Sequence, residues 1–328
     1  MNRFKKVLAN QQLIVTLALV LICLAFSVMT SQFFSIQTFI NVSKSAYYIA
    51  FMAIGVTFVI ATGGIDLSIG TVAICAALIG GTLWENYGLS FYVIIPVILL
   101  VGLLFGLMNG ILIAHLKLPA FIATLGMMMV SRGLGSIVSA TRTINFPQGD
   151  MDGAWFREIF MTTREGFLPK NFPTGFILLA ILVAVMTLIL RKMKVGRYIL
   201  AIGSNKEATR LSGVDVKRYE TIAYVISGLF AGLAGLAYVG VFIAAQPNTG
   251  NGFELDAIAG VVIGGTSLAG GTASIVGTII GVFIMTVLKI GFPYLGVQPH
   301  WQLFITGIIL IIAVFVDIIN RSKNRRVS

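Results

Sequence analysis

Ten apolar stretches, near residues 13–31, 46–62, 66–83, 91–115, 119–141, 174–191, 219–244, 255–270, 273–291 and 301–318, occupy most of this 328-residue chain. A helix needs about 20 apolar residues to cross the hydrocarbon of a bilayer, fewer where it is broken or partly buried. So many runs of that length exclude a soluble globular fold. They predict an all-α integral membrane protein of about ten transmembrane helices, with the lipid bilayer as its solvent. Charged residues make up only 11% of the chain, against about 25% in soluble domains. The glycine density of "GGIDLSIG" (63–70) and "VVIGGTSLAGGTAS" (261–274) marks the third, eighth and ninth segments as candidates for short, broken or re-entrant helices. No Pro/Gly/Ser linker divides the sequence, so residues 1–328 are expected to form a single membrane domain.

The first 30 residues have a basic head and an apolar run, as a secretory signal does. The run nearly reaches spanning length, lacks a small-residue cleavage site and is followed by further spans, so it is read as a retained first span. Ile22 stands where a lipoprotein signal wants a small residue before Cys23. Cys23 and Cys75 both lie inside apolar runs and are read as small packed residues, not as a disulfide.

The net charge of +11 would suggest nucleic acid as a partner of a soluble protein. In a membrane protein it reports orientation, because cytoplasmic loops are enriched in Lys and Arg. With the N-terminus inside, sixteen basic residues face the cytoplasm: Arg3, Lys5, Lys6, Lys117, eight within 191–220 and four in the tail "RSKNRRVS". Five face outward: Lys44, Arg142, Arg157, Arg164 and Lys170. This asymmetry predicts that both termini are cytoplasmic. The loop 142–173 is then external, with a small amphipathic element around Trp155 and Phe156.

Glycine spacing predicts how the helices pack. Gly102, Gly106 and Gly110 recur every fourth residue, as do the pairs Gly228/Gly232, Gly260/Gly264 and Gly277/Gly281. Such spacing lets two helix backbones approach closely. A faint internal repeat also shows in the shared Asp-apolar-Gly rhythm of "GIDLSIGTVAICAALIGG" and "ELDAIAGVVIGGTSLAGG", a feature common in transporters.

Motifs for chemistry are missing. There is no GxxxxGK[ST] and no Gly-Lys dipeptide, hence no phosphate-binding loop. There is no HExxH, no GxSxG and no cysteine cluster, and His115 and His300 fall near opposite faces. No catalytic residue, cofactor or metal site is expected.

One compact charged island interrupts the apolar pattern: residues 191–220 hold 11 of the 35 charged residues. Its basic start, 191–197, anchors the preceding span. Ser204 followed by Glu207 three positions on reads as a capping box. The segment Asn205, Lys206, Glu207, Ala208, Arg210 and Leu211 then forms a helix of about two turns, closed by Gly213. Asp215 can cap the helix that follows. A short capped helix held between two spans is suited to docking; a plain solvated basic loop is the other reading.

Several polar residues fall inside spans. Asp66 with Ser68 either caps the third span near its inner end or lines a pathway. Arg132 can snorkel outward, pair with Glu254 or Asp256, or line an outer cavity. Asn109 and Thr124 are further candidate cavity groups.

The stretches "GGIDLSIG" (63–70), "LPAFIATLGMM" (118–128), "GRYILAIGSNKEATRLSGV" (196–214), "QPNTGNGFELDAIAGVVIGGTSLAGG" (246–271) and "YLGVQPHWQ" (294–302) resemble membrane permease subunits of ATP-binding cassette sugar importers, of the ribose and methylgalactoside type. They run in family order from about residue 46 to the C-terminus. The resemblance implies a multi-pass protein of the bacterial cytoplasmic (inner) membrane that forms the pathway for a monosaccharide. It implies that the loop 192–218 couples to a separate cytoplasmic ATPase through residues 204–213. It further implies a second permease copy, identical or related, and a periplasmic or extracellular sugar-binding protein. A secondary carrier driven by an ion gradient is the competing reading, but it would want more intramembrane acids than this chain offers. A structural or receptor-like membrane protein would need neither the capped helix nor so glycine-rich a bundle.

Overall fold

The computed structural model describes residues 11–161 and 173–325, with the backbone alone for 11 and for 316–325. Arg3, Lys5, Lys6, Arg164, Lys170 and Arg326, which enter the charge asymmetry, lie outside the described residues. Helices dominate: α1 (Gln11–Met29), α2 (Ile36–Ala61), α3 (Ile69–Tyr87), α4 (Phe91–Gly110), α5 (Ala120–Val138), α6 (Gly175–Lys192), α7 (Lys194–Ser204), α8 (Lys206–Leu211), α9 (Val216–Phe242), α10 (Phe253–Ile263), α11 (Ile275–Tyr294) and α12 (Pro299–Arg325). A π turn, Ile111–His115, prolongs α4.

Serines start three of the long helices. The backbone N–H of Thr38 donates to Ser35 Oγ ahead of α2, Tyr92 N–H to Ser90 Oγ ahead of α4, and Gly277 N–H to Ser274 Oγ ahead of α11. Each bond satisfies an amide that the helix itself cannot pair. Among the described residues, α1 to α6, α9 and α11 are long and apolar enough to cross a membrane. Helix α12 is also long, 27 residues, and apolar through 299–315.

The expected eighth span is different. Helix α10 has 11 residues, so it rises only about 16 Å where a bilayer needs about 30 Å. It is a half-helix, followed by a glycine-rich loop, 264–274. The third and ninth segments, by contrast, form complete helices of 19 and 20 residues, α3 and α11.

Helices α2 and α9 form the centre. Tyr47, Phe51 and Phe58 of α2 and Tyr224 of α9 are almost wholly buried, whereas α1, α5, α6 and α12 carry many exposed Leu, Ile, Val and Phe side chains. That distribution suits a bundle whose outer solvent is hydrocarbon. The glycine repeats sit where backbones touch. A Cβ on Gly102 would lie 2.3 Å from the Gly228 carbonyl oxygen, and one on Gly106 2.3 Å from that of Tyr224. Between α10 and α11, a Cβ on Gly277 would lie 2.0 Å from Gly264 O and one on Gly281 2.1 Å from Gly260 O. Any larger residue at these four positions would push the helices apart.

At one end of the bundle, β1 (Ile144–Asn145) pairs antiparallel with β2 (Ala244–Ala245), Ile144 opposite Ala245. Beside this ladder a 3₁₀ turn, Ala154–Ile159, is pinned by Phe156, whose ring stacks on Phe91 at 4.5 Å. Trp155 stacks on Tyr92 at 4.9 Å. Helices α7 and α8 occupy the opposite end.

After β2 the chain turns back into the bundle. A Cβ on Gly81 of α3 would lie 2.6 Å from Ile144 beside the ladder, yet a Cβ on Gly250 would lie 2.5 Å from the Gly70 carbonyl oxygen. Eleven helical residues separate Gly70 from Gly81, about 16 Å along the axis. The run 246–252 is therefore a re-entrant descent, and α10 begins at its foot, near the first turn of α3. The two segments with the shared Asp-apolar-Gly rhythm meet there.

Candidate functional site

The charged island folds into two helices, not one. Helix α7 (Lys194–Ser204) buries Gly196, Ile199 and Ile202 against the bundle, so the amphipathic helix continues through Ser204. Asn205 N–H donates to Ala201 O at 3.0 Å, and the extended conformation of Asn205 breaks the chain before α8. The cap of α8 is thus Asn205, whose Oδ1 accepts from Ala208 N–H at 3.0 Å. This corrects the expected capping box: Ser204 ends α7, and the cap shifts by one residue to a side chain equally able to accept. Gly213, at φ +83°, follows the last turn of α8 as expected, and Asp215 Oδ1 accepts from Arg218 N–H to start α9.

On α8, Thr209 faces the protein while Ala208 and Leu211 face away, Leu211 with 75% of its surface exposed. Glu207 and Arg210 form an ion pair on the exposed side. The hydrogen bond and charge of that guanidinium hold the Glu207 carboxyl below its ordinary range. Lys206 reaches back to Glu220 of α9 at 2.5 Å. The result is a short, internally braced helix that presents an apolar patch inside a charged rim.

The second assembly lies deep in the bundle. Asp66, 2% exposed, accepts from Ser68 N–H at 3.0 Å and Ser68 Oγ at 2.7 Å through Oδ1, and from Ser227 Oγ at 2.7 Å through Oδ2. Asn109 Nδ2 donates to Ser68 Oγ at 2.9 Å, and Tyr224 Oη donates to Ile65 O at 3.3 Å. These bonds join the break between α2 and α3 to α4 and α9. Asp66 does precede its own helix, but that helix starts deep. Ser227 is eleven residues beyond the start of α9, about 16 Å along it. Thr124 stands apart, its hydroxyl donating to Ala120 O within α5.

Asp66→Ala would leave an amide and two hydroxyls short of their acceptor, a loss of at least about 3 kcal/mol given about 1–3 for each unpaired buried group. Thr124→Val is expected to cost less than about 1 kcal/mol, because only a local i−4 bond is lost. Thermal unfolding in lipid nanodiscs measures both; equal losses would contradict the network's role.

Arg132 is the third feature. It lies on the exposed face of α5 and donates through Nε and Nη2 to Asn248 Oδ1 at 3.2 and 2.9 Å. Neither expected acid partner takes it. Asp256 pairs with Lys289 of α11, and Glu254 Oε1 accepts from Gly252 N–H at 3.2 Å. Gln246, Asn248 and Asn251 of the re-entrant run are exposed along with Arg132. Residue patterning alone placed 246–252 outside the bilayer, since depth is set by the Gly70–Gly250 contact and leaves no local signal. Arg132 is twelve residues from the start of α5, about 18 Å along a helix. An arginine and the amides of Asn248 and Asn251 exposed at that depth cannot face lipid cheaply: an arginine at a membrane centre costs about 2.5–3.5 kcal/mol even by the mildest scale.

A broken half-helix, a re-entrant polar run at mid-depth and glycine-packed spans form the architecture of a translocation protein. In agreement, the family described as "Branched-chain amino acid transport system / permease component" matches residues 38–314. The chain belongs to this permease family. The permease is 37% identical to the ribose import permease protein of Escherichia coli over 303 residues, covering 92% of each chain. It is 35% identical to the galactose/methyl galactoside import permease protein of Haemophilus influenzae, covering 89% of this chain and 90% of that protein. Against the fructose import permease protein of Rhizobium meliloti it is 34% identical, with 92% and 83% covered. No solved structure matches the permease. It is a multi-pass membrane protein and a transport subunit.

Proposed function

We propose that this permease forms the membrane pathway of an ATP-driven, binding-protein-dependent importer for a neutral monosaccharide, and that α8 docks a separate ABC ATPase. The observation that carries the reading is α8 itself: a braced helix holding Ala208 and the 75%-exposed Leu211 outward at the end of the bundle. An apolar patch on a rigid, charged-rimmed element is the form of a protein-binding surface. The permease has no phosphate-binding loop, so hydrolysis belongs to the partner. A second permease copy, identical or related, completes the pathway, and a sugar-binding protein delivers the cargo at the β-ladder end, where the loop 142–173 meets it.

The exposed face of α5 with Arg132, together with the amides of 246–252, lines the aqueous route, which answers the cost of holding those groups at depth. Asp66, Ser68 and Asn109 serve as a structural pin beside that route, and Thr124 serves packing within α5. Galactose, ribose and fructose permeases among the relatives support a monosaccharide; an ion-gradient carrier finds no such support.

Orientation follows from charge: the α7–α8 end, with eight basic residues in 191–220, faces the cytoplasm, and both termini lie on that side. Cysteines introduced at Asp150 and at Lys206, both exposed, are expected to label from opposite sides in intact cells and inverted vesicles, Asp150→Cys from outside only. Labelling of both from one side would overturn this topology. Sugar uptake that requires ATP and the ATPase subunit tests the function; uptake driven by an ion gradient without them would sink it.

A further inference from the structure

Three backbones converge just before α8. A Cβ on Gly203, the penultimate residue of α7, would lie 1.9 Å from the Ala61 carbonyl oxygen at the end of α2 and 2.4 Å from Gly271 N. A Cβ on Gly270 would lie 2.7 Å from Gly63 N and 2.8 Å from Gly203 Cα, and one on Gly271 3.0 Å from Ser204 Cα. Gly271 N–H donates to Ala61 O at 3.0 Å. No side chain intervenes among Gly63, Gly203, Gly270 and Gly271, and three of the four hold positive φ: +84°, +82° and +80° for Gly63, Gly270 and Gly271.

Each strand of this junction leads to a feature of the pathway. The loop 264–274 is closed by Ser267 N–H to Thr272 O and by Ser274 N–H to Thr266 Oγ1. It is continuous with α10, whose own contacts with α11 are backbone against backbone at Gly260, Gly264, Gly277 and Gly281. The head of α10 meets Gly70 and the run that carries Asn248, the partner of Arg132. From Ala61 the chain passes through the break to Ile65 and Asp66, which Tyr224 and Ser227 hold to α9. Close-packed backbone has little compliance, so a displacement at one member is passed to the others.

We infer that Gly203, Gly270 and Gly271 form a rigid joint that transmits movement of α8 to the half-helix α10 and to the α2–α3 break. These are positioning residues: they touch neither cargo nor ATPase. The inference rests on the docking reading of α8. Spatial continuity alone does not establish coupling, so the test must read coupling itself.

The measurement is sugar moved per ATP hydrolysed, in proteoliposomes holding the full importer with its binding protein. Gly203→Ala is expected to retain the ATPase subunit through purification and to lower sugar per ATP at least tenfold. A wild-type ratio would overturn the joint, and loss of the ATPase subunit would place Gly203 in the docking surface instead. Gly307→Ala on α12, where an added Cβ meets nothing within 4 Å, is the control and should leave the ratio unchanged.

A milder variant covers the case that Gly203→Ala does not fold. A Cβ at position 271, at φ +80°, would lie 3.0 Å from Ser204 Cα, a contact that a shift of a few tenths of an ångström relieves. Gly271→Ala is expected to fold, to keep the ATPase subunit bound and to lower sugar per ATP at least tenfold, because the joint no longer closes. A wild-type ratio in this variant would overturn the inference. Failure of the docking reading is separately visible, as an ATPase subunit that stays bound when the exposed face of α8 is charged.

Discussion

Ala208→Asp combined with Leu211→Asp is expected to abolish stimulation of the partner ATPase and to reduce its co-purification with the permease at least tenfold. Both side chains lie on the exposed face of α8, so neither substitution disturbs the bundle. The Asn205 cap, the Glu207–Arg210 pair and the Lys206–Glu220 bridge all remain. The two carboxylates act only when a partner covers them. A charge buried unpaired at an interface costs about 2–5 kcal/mol, and about 1.4 kcal/mol is already tenfold in affinity. The double variant should insert and unfold thermally like the wild type. If it still binds the ATPase and supports transport, α8 is not the docking element.

The same helix shows how far sequence patterning reaches. The capped charged segment was legible because Ser, Asn, Glu and Gly at those spacings satisfy helix ends in any context. Its cap was misplaced by one residue because Ser204 and Asn205 are locally equivalent. The choice between them depends on α7, whose Ile199 and Ile202 bury themselves in the bundle. Helix α7 itself is hidden in the sequence, since the basic residues Lys194 and Arg197 at its start read as a membrane anchor.

Span positions followed from length and hydropathy, and the close helix pairs followed from glycines four apart. What the pattern could not carry was depth. A run such as 246–252, rich in Asn, Gln and Gly, is locally indistinguishable from a surface loop, and only the approach of Gly250 to Gly70 places it inside. Likewise Asp66 was readable as a helix-starting acid, but its bond to Ser227, 161 residues away, has no local signature. Arg132 stands out as anomalous in the sequence, but nothing there marks Asn248 as the amide that receives it.

That arginine bears on the cargo, where the family description and the relatives point in different directions. A zwitterionic amino acid in a low-dielectric route wants a partner for each charge, since a buried unpaired ion costs several kcal/mol. Along the exposed face of α5 and the re-entrant run, the groups presented are Arg132, Gln246, Asn248 and Asn251. Asp256 is already paired with Lys289, and Glu254 is buried. Among the described residues, these surfaces thus expose hydrogen-bonding groups but no carboxylate for an ammonium, which in the proposed route suits a neutral polyhydroxy solute. Vesicles containing the permease, its ATPase and its binding protein are expected to take up labelled ribose or galactose and not leucine. Arg132→Gln should lower the sugar rate about tenfold, as loss of a charged hydrogen bond of about 1.5–3 kcal/mol would allow, without creating leucine uptake. Leucine uptake in the absence of sugar uptake would sink the monosaccharide assignment.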